Sequence, residues 1–223
     1  MKTIVLDTSS VISLVTNNLL EIIKPLKEKF KGTFYIPESV EYELIDKPLE
    51  TKMFKLEAIM VSKAIEDKDF VVYEESIDVG SLLHKINNLY FVNGKPIRIV
   101  SKAEVEALAL AIKLESSAYA VDERTMRLVI EDPMRLKKIQ ENKLHMKVTI
   151  NYEFMNEIKN LVKNVKVIRS TELVLMAYEF GLLDKYLINV SREQLLDALL
   201  WGLKIRGCSI SNEEVESLTD FEL

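Results

Sequence analysis

The sequence predicts an α/β protein in which a central, mostly parallel sheet is layered between helices. Three observations carry that expectation. Short apolar runs rich in β-branched residues alternate along the chain with segments of helical periodicity. Two of those runs end in an aspartate at the point where a helix begins, Leu6-Asp7 and Val121-Asp122. Ser/Thr-x-x-Glu/Gln signatures at Ser101-Lys102-Ala103-Glu104 and Ser191-Arg192-Glu193-Gln194 mark two further helix starts.

Thr3-Ile4-Val5-Leu6 reads as a buried strand, and Asp7-Thr8-Ser9-Ser10 caps the helix that follows. A second helix is expected over about 20–30, stopping near Gly32. Thr33-Phe34-Tyr35-Ile36-Pro37 is the second strand, and Glu38 opens a helix that carries Glu43. Residues 50–66 are helical by pattern, with Phe54, Ala58, Ile59 and Val61 available to a core. Phe70-Val71-Val72-Tyr73 is a short strand. Over 76–100 two readings compete: a helix over 81–90, or a hairpin turning at Asn93-Gly94 between 89–92 and 97–100.

Ser101 and Glu104 then open a helix whose small apolar face, Ala107, Leu108 and Ala111, suits close packing on a sheet. The next strand runs over 117–122, and a helix begins at Glu123-Arg124. A strand and helix are expected over 143–162, and a strand over 165–168. Helices follow over 172–181, from Ser191 to about Ile205, and over 212–218. The organisation expected is a domain over 1–169, with additional material near 50–100 and 128–165. A helical extension over 170–223 packs on it.

Composition narrows the function classes. One cysteine, Cys208, cannot form an internal disulfide. No stretch approaches the ~18 apolar residues of a membrane span, and Asp7 interrupts the first apolar run, so a cytoplasmic protein is expected. A net charge of −5 argues against non-specific coating of nucleic acid. It leaves a nuclease open, since catalytic carboxylates themselves contribute negative charge.

The carboxylates carry the chemistry. Asp7 and Asp122 end two strands, and in a parallel α/β sheet the strand C-termini where strand order reverses form the binding crevice. Glu43 lies in the helix after the second strand, Glu104 in the first turn of the helix before the Asp122 strand and Glu123 beside Asp122, and helix starts and strand ends can converge on the same rim. Singly, each has a plainer reading as a helix cap or a solvated charge. Together they would be costly to gather without a cation. Oxygen-only ligands select Mg²⁺ or Mn²⁺, and the chain lacks a His/Cys set for zinc. Such a site can polarise a phosphoryl oxygen and activate water for in-line attack, leaving a 5′-phosphate and a 3′-hydroxyl.

Four segments resemble the motifs of the PIN-domain family. They are Ile4-Val5-Leu6-Asp7-Thr8-Ser9-Ser10, Ile36-Pro37-Glu38-Ser39-Val40-Glu41-Tyr42-Glu43-Leu44, Ala103-Glu104-Val105-Glu106-Ala107-Leu108-Ala109-Leu110-Ala111 and Ala120-Val121-Asp122-Glu123-Arg124. The resemblance implies a three-layer α/β/α nuclease fold with added C-terminal helices. It also implies a metal-dependent endoribonuclease acting on single-stranded RNA with Mg²⁺ or Mn²⁺, often as a homodimer and in some members paired with an antitoxin. Carried over, Asp7, Glu43, Glu104 and Asp122 would be metal ligands, Glu123 would join the catalytic set, and Ser9 would orient a carboxylate. Glu123 stands where the family usually has a second Asp, so which of Asp122 and Glu123 faces the metal stays open. Ala103 replaces the usual Gly before the third-motif Glu, and the chain is longer than the small toxin members. Two rivals remain: a non-catalytic PIN-like module that binds RNA or protein, and a Mg²⁺ phosphohydrolase of the haloacid-dehalogenase kind. The second requires Asp-x-Asp, but position 9 is Ser.

Overall fold

A computed structural model describes residues 2–220. Five strands form an all-parallel central sheet: β1 (Lys2–Leu6), β2 (Gly32–Pro37), β3 (Val71–Tyr73), β6 (Ala118–Ala120) and β8 (Val167–Ile168). The spatial order is β3-β2-β1-β6-β8. The chain therefore builds outward from β1 in one direction through β3, then returns to its other side with β6. That reversal lies between β1 and β6, where Val5 stands opposite Tyr119 and Leu6 opposite Ala120. Ile4, Val5, Leu6, Tyr119 and Ala120 are all buried, as expected of central strands covered on both faces.

Helices connect the strands. α1 (Thr8–Thr16) and α2 (Ile23–Phe30) lie between β1 and β2, with a 3₁₀ turn at Leu20–Ile22 where the sequence reads as continuous helix. Lys31, at φ 55°, ends α2 in the left-handed conformation. Gly32 starts β2 where a Cβ would meet the Lys2 carbonyl oxygen at 2.4 Å, so only glycine allows this approach of two strands. α3 (Glu38–Leu44), α4 (Asp46–Leu49) and α5 (Lys55–Glu66) follow β2. The helix expected over 50–66 begins only at Lys55; residues 51–54 are a bend, and Phe54 takes φ 62°. Ala58 and Val61 enter the core as expected, but Phe54 and Ile59 are exposed.

Both readings of the next stretch are realised. α6 (Gly80–Asn87) is followed by a hairpin of β4 (Tyr90–Val92) and β5 (Lys95–Pro96). Asn93 and Gly94, at φ 50° and 75°, form the positive-φ pair that a two-residue hairpin turn demands. The second arm is shorter than expected, since 97–100 leave the strand. Asn87 ties that segment down: its Oδ1 accepts from the N–H groups of Ile99 and Val100 at 2.8 and 3.1 Å, and its Nδ2 donates to the Val100 carbonyl at 3.0 Å. This clamp fixes the run-in to α7 (Lys102–Lys113), which lies against β1, β2 and β6.

α8 (Arg124–Glu131) and α9 (Pro133–Leu144) separate at Asp132-Pro133, where the proline cannot continue the preceding helix and starts the next. β7 (Thr149–Ile150) completes the small antiparallel sheet β5-β4-β7, and α10 (Tyr152–Val162) returns the chain to β8. α11 (Ser170–Glu179) packs on β8 and α1, α12 (Arg192–Ile205) on α11, and α13 (Asn212–Asp220) on α12. The last three residues of the extension expected over 170–223 lie outside the described residues. Among the described residues no helix is long and apolar enough to cross a membrane.

Candidate functional site

Asp7 ends β1 at the strand-order reversal, and its backbone N–H still donates across to the Ala120 carbonyl at 2.9 Å. Extended backbone (φ −85°, ψ 159°) makes it the N-cap of α1. Its Oδ2 accepts from the Ser9 amide at 3.1 Å and the Ser9 hydroxyl at 2.6 Å. Its Oδ1 is buried and has no hydrogen-bond partner. With Asp7 only 2% exposed, burial pushes its carboxyl up to about 7; the Ser9 hydrogen bonds oppose that shift, and the Glu104 and Glu43 carboxylates add to it.

Ser9 joins the two strand ends. While donating to Asp7, its oxygen accepts the backbone N–H groups of Asp122 at 3.0 Å and Glu123 at 3.2 Å. The orienting role expected of Ser9 thus has a geometric basis, and it extends to the backbone of the fourth motif.

The Glu104 and Glu43 carboxylates act on Asp7, and these two and Glu123 are each held by one oxygen. Glu43, from α3, accepts at Oε2 from the Thr8 hydroxyl at 2.6 Å. Glu104 accepts at Oε2 from the Ser101 amide at 2.6 Å, half of the capping box expected there. Glu123 accepts at Oε2 from the Met126 amide at 2.8 Å and caps α8. Tyr119 lies buried beneath. Burial first, then the carboxylates of Asp7, Glu104 and Glu123, raise its hydroxyl well above the usual range. Among the described residues no lysine, arginine or histidine forms an ion pair with Asp7, Glu43, Glu104 or Glu123.

Asp122 is turned away from this group. It is fully buried, with Oδ1 accepting from the Ser170 amide at 2.7 Å and Oδ2 from the Ser170 hydroxyl at 2.6 Å. Burial raises its carboxyl, and hydrogen bonds from Ser13, Ser170 and Cys208 partly offset the rise. Asp122, expected at the rim as a ligand, thus anchors the start of α11 through Ser170. The backbone N–H of its neighbour Glu123 bonds Ser9 instead, and the Glu123 carboxylate caps α8.

The chain has no match among protein-family models, curated proteins or solved structures.

Whether the residues fit a divalent cation can be judged from Asp7. A buried carboxylate oxygen without a donor, acted on by the Glu104 and Glu43 carboxylates and ion-paired to no lysine, arginine or histidine among the described residues, has the chemistry of a hard-cation ligand. Among the described residues no three Asp, Glu, His or Cys side chains stand close enough to hold a metal as they are. Each glutamate is drawn toward its own backbone or hydroxyl donor, and mutual repulsion acts in the same direction.

Sequence reasoning did not single out Thr8, Tyr119 or Ser170. Thr8 was visible inside the first motif as a hydroxyl beside Asp7. Ser170 lies 48 residues from its carboxylate, and no local pattern links them.

Proposed function

We propose that this chain is a PIN-like, metal-dependent endoribonuclease that hydrolyses phosphodiester bonds of single-stranded RNA. The single observation that carries this reading is the donor-less Oδ1 of buried Asp7, facing Glu43 and Glu104 at the strand-order reversal. The four motif segments that resemble the PIN family supply the choice of RNA over other phosphodiesters. Asp7, Glu43, Glu104 and Glu123 would hold Mg²⁺ or Mn²⁺. When bound, the cation supplies Lewis acidity toward a phosphoryl oxygen and a more acidic water.

The chain's own residues do the remaining work. Ser9 fixes the rotamer of Asp7 and the backbone that presents Glu123. Thr8 fixes Glu43, and the Ser101 amide fixes Glu104. Tyr119 and the apolar strand ends exclude water from beneath the carboxylates, which strengthens every charge interaction above them. No protein nucleophile is required. The one cysteine, Cys208, is buried with its thiol pushed up to about 12.

The test is cleavage of unstructured RNA with Mn²⁺, comparing the native chain with Asp7→Asn and Glu104→Gln. Cleavage that EDTA abolishes and both substitutions suppress by at least about a hundredfold is expected. Cleavage indifferent to EDTA or to Asp7→Asn overturns the reading. RNA retained without cleavage under every divalent metal points to a binding module.

A further inference from the structure

A groove of about 310 Å³ opens beside the carboxylates, and we propose that it receives an unstacked nucleobase of the RNA strand. This inference rests on the nuclease reading and specifies its substrate. Thr8 and Glu43 belong to both sites: the hydroxyl and carboxylate that meet at 2.6 Å also form one wall of the groove. Anything seated there lies directly against Glu43, one of the candidate metal ligands.

The floor is apolar, formed by Ile12, Leu44 and Val61. Its volume suits one planar heterocycle and its sugar; ligand pockets begin at about 300 Å³. Phe54 stands at the mouth with half its surface exposed, presented by a backbone at φ 62° that a non-glycine residue rarely adopts. Lys47, exposed on the rim, brings a positive charge to a surface otherwise acidic on the Glu43 side. An apolar slot, a solvent-facing aromatic ring, a lone ammonium and carboxylates at one end match the parts of a nucleotide. The base enters the slot and stacks on Phe54, and the phosphates lie between Lys47 and the metal side. A single strand can place a base there because its bases are free to splay out, whereas a duplex holds them paired.

Nucleosides test the groove without the metal. Adenosine or uridine, added to the full chain in EDTA, should shift the amide resonances of Thr16, Phe54 and Val61, and ribose should not. Phe54→Ala should weaken nucleoside binding about tenfold, in line with the loss of one base–aromatic stack. Thr51→Trp, which places an indole in the mouth from an exposed position, should block it. Ribose acting like the nucleosides, or shifts confined to other residues, overturns the proposal. So does a concentration-dependent dimer that Phe54→Ala dissociates while nucleosides have no effect, since the face would then be an interface between copies. Nucleoside binding here without Mn²⁺-dependent RNA cleavage supports the groove and removes the nuclease. Cleavage whose KM is unchanged in Thr51→Trp keeps the nuclease and removes the groove.

Discussion

Ser170 holds both carboxylate oxygens of Asp122, its amide at 2.7 Å from Oδ1 and its hydroxyl at 2.6 Å from Oδ2. The contact pins the start of α11 to the end of β6, two segments 48 residues apart. It also holds the Asp122 carboxylate on the α11 side of β6. The adjacent acidic residues Asp122 and Glu123 thus have different partners, Asp122 at the start of α11 and Glu123 at the start of α8.

Substitution at the two positions should therefore give opposite signatures. Asp122→Asn places an amide N–H₂ against Ser170 donors and should destabilise the chain by about 1–3 kcal/mol, leaving Mn²⁺ affinity within about twofold. Glu123→Gln should weaken Mn²⁺ binding about tenfold or more while costing under about 1 kcal/mol, the scale of a helix-cap charge. Urea denaturation and titration calorimetry on the same preparations read both quantities. The reverse pattern would return the ligand role to Asp122.

Ser9 should prove more costly to remove than its size implies. Its hydroxyl makes one charge-assisted bond to Asp7 and accepts two backbone N–H groups from the β6 end. Ser9→Ala orphans those two amides and should cost about 2–4 kcal/mol in urea unfolding. The same change withdraws a donor from Asp7 and should raise its carboxyl above about 7, which ¹³C titration of the Asp7 carboxyl resonance would detect.

Metal-free stability should fall as pH rises from about 4 to 7. Asp7 titrates near 7 in the folded chain against 3.8 unfolded, so between those values the folded state keeps a proton that the unfolded state has lost. The penalty is absent below the lower value and complete above the upper, where Asp7 contributes about 4 kcal/mol against folding. Asp7→Asn, a neutral near-isostere, should stabilise the metal-free chain by roughly 1–3 kcal/mol at pH 8 and give no gain at pH 4. Equal effects at both pH values would place the carboxylate in a more solvated setting than its burial implies.

Local signals in the sequence were legible where one short segment contains the whole interaction. The capping boxes at Ser101 and Ser191 and the Asn93-Gly94 turn form as their residue patterns predict, because each closes within a few residues. The strand ends at Asp7 and Val121 were legible from apolar runs followed by capping residues. Two features were not. The sequence assigns Phe54 and Ile59 to a helix core, yet both are exposed, because α5 starts late and buries only the Ala58–Val61 side. α11 starts at Ser170, two residues before the start that the sequence predicts. Its capping box is built on Arg169, whose guanidinium and amide both bond Glu172, and arginine is not a capping residue that local pattern marks. The inward turn of Asp122 depends on Ser170, Ser13 and Cys208 from three distant segments, which periodicity does not connect.

Divalent metal should reverse the instability that Asp7 creates. A cation that binds only the folded chain stabilises it by about 2.7 kcal/mol at a hundred times its Kd. Because the cation must displace the Asp7 proton, apparent affinity should fall about tenfold for each pH unit below 7. Thermal melts with Mn²⁺ and Mg²⁺ should therefore show a large upward shift at pH 8 and little at pH 5.5. The shift should be lost in Asp7→Asn and reduced in Glu43→Gln and Glu104→Gln. Thr8→Val tests orientation separately. It keeps every carboxylate and removes only the hydroxyl that holds Glu43, so its metal-induced shift should fall partway, with the pH dependence set by Asp7 unchanged. A metal shift that persists in Asp7→Asn would move the cation site away from the β1 end and, with it, the chemistry proposed there.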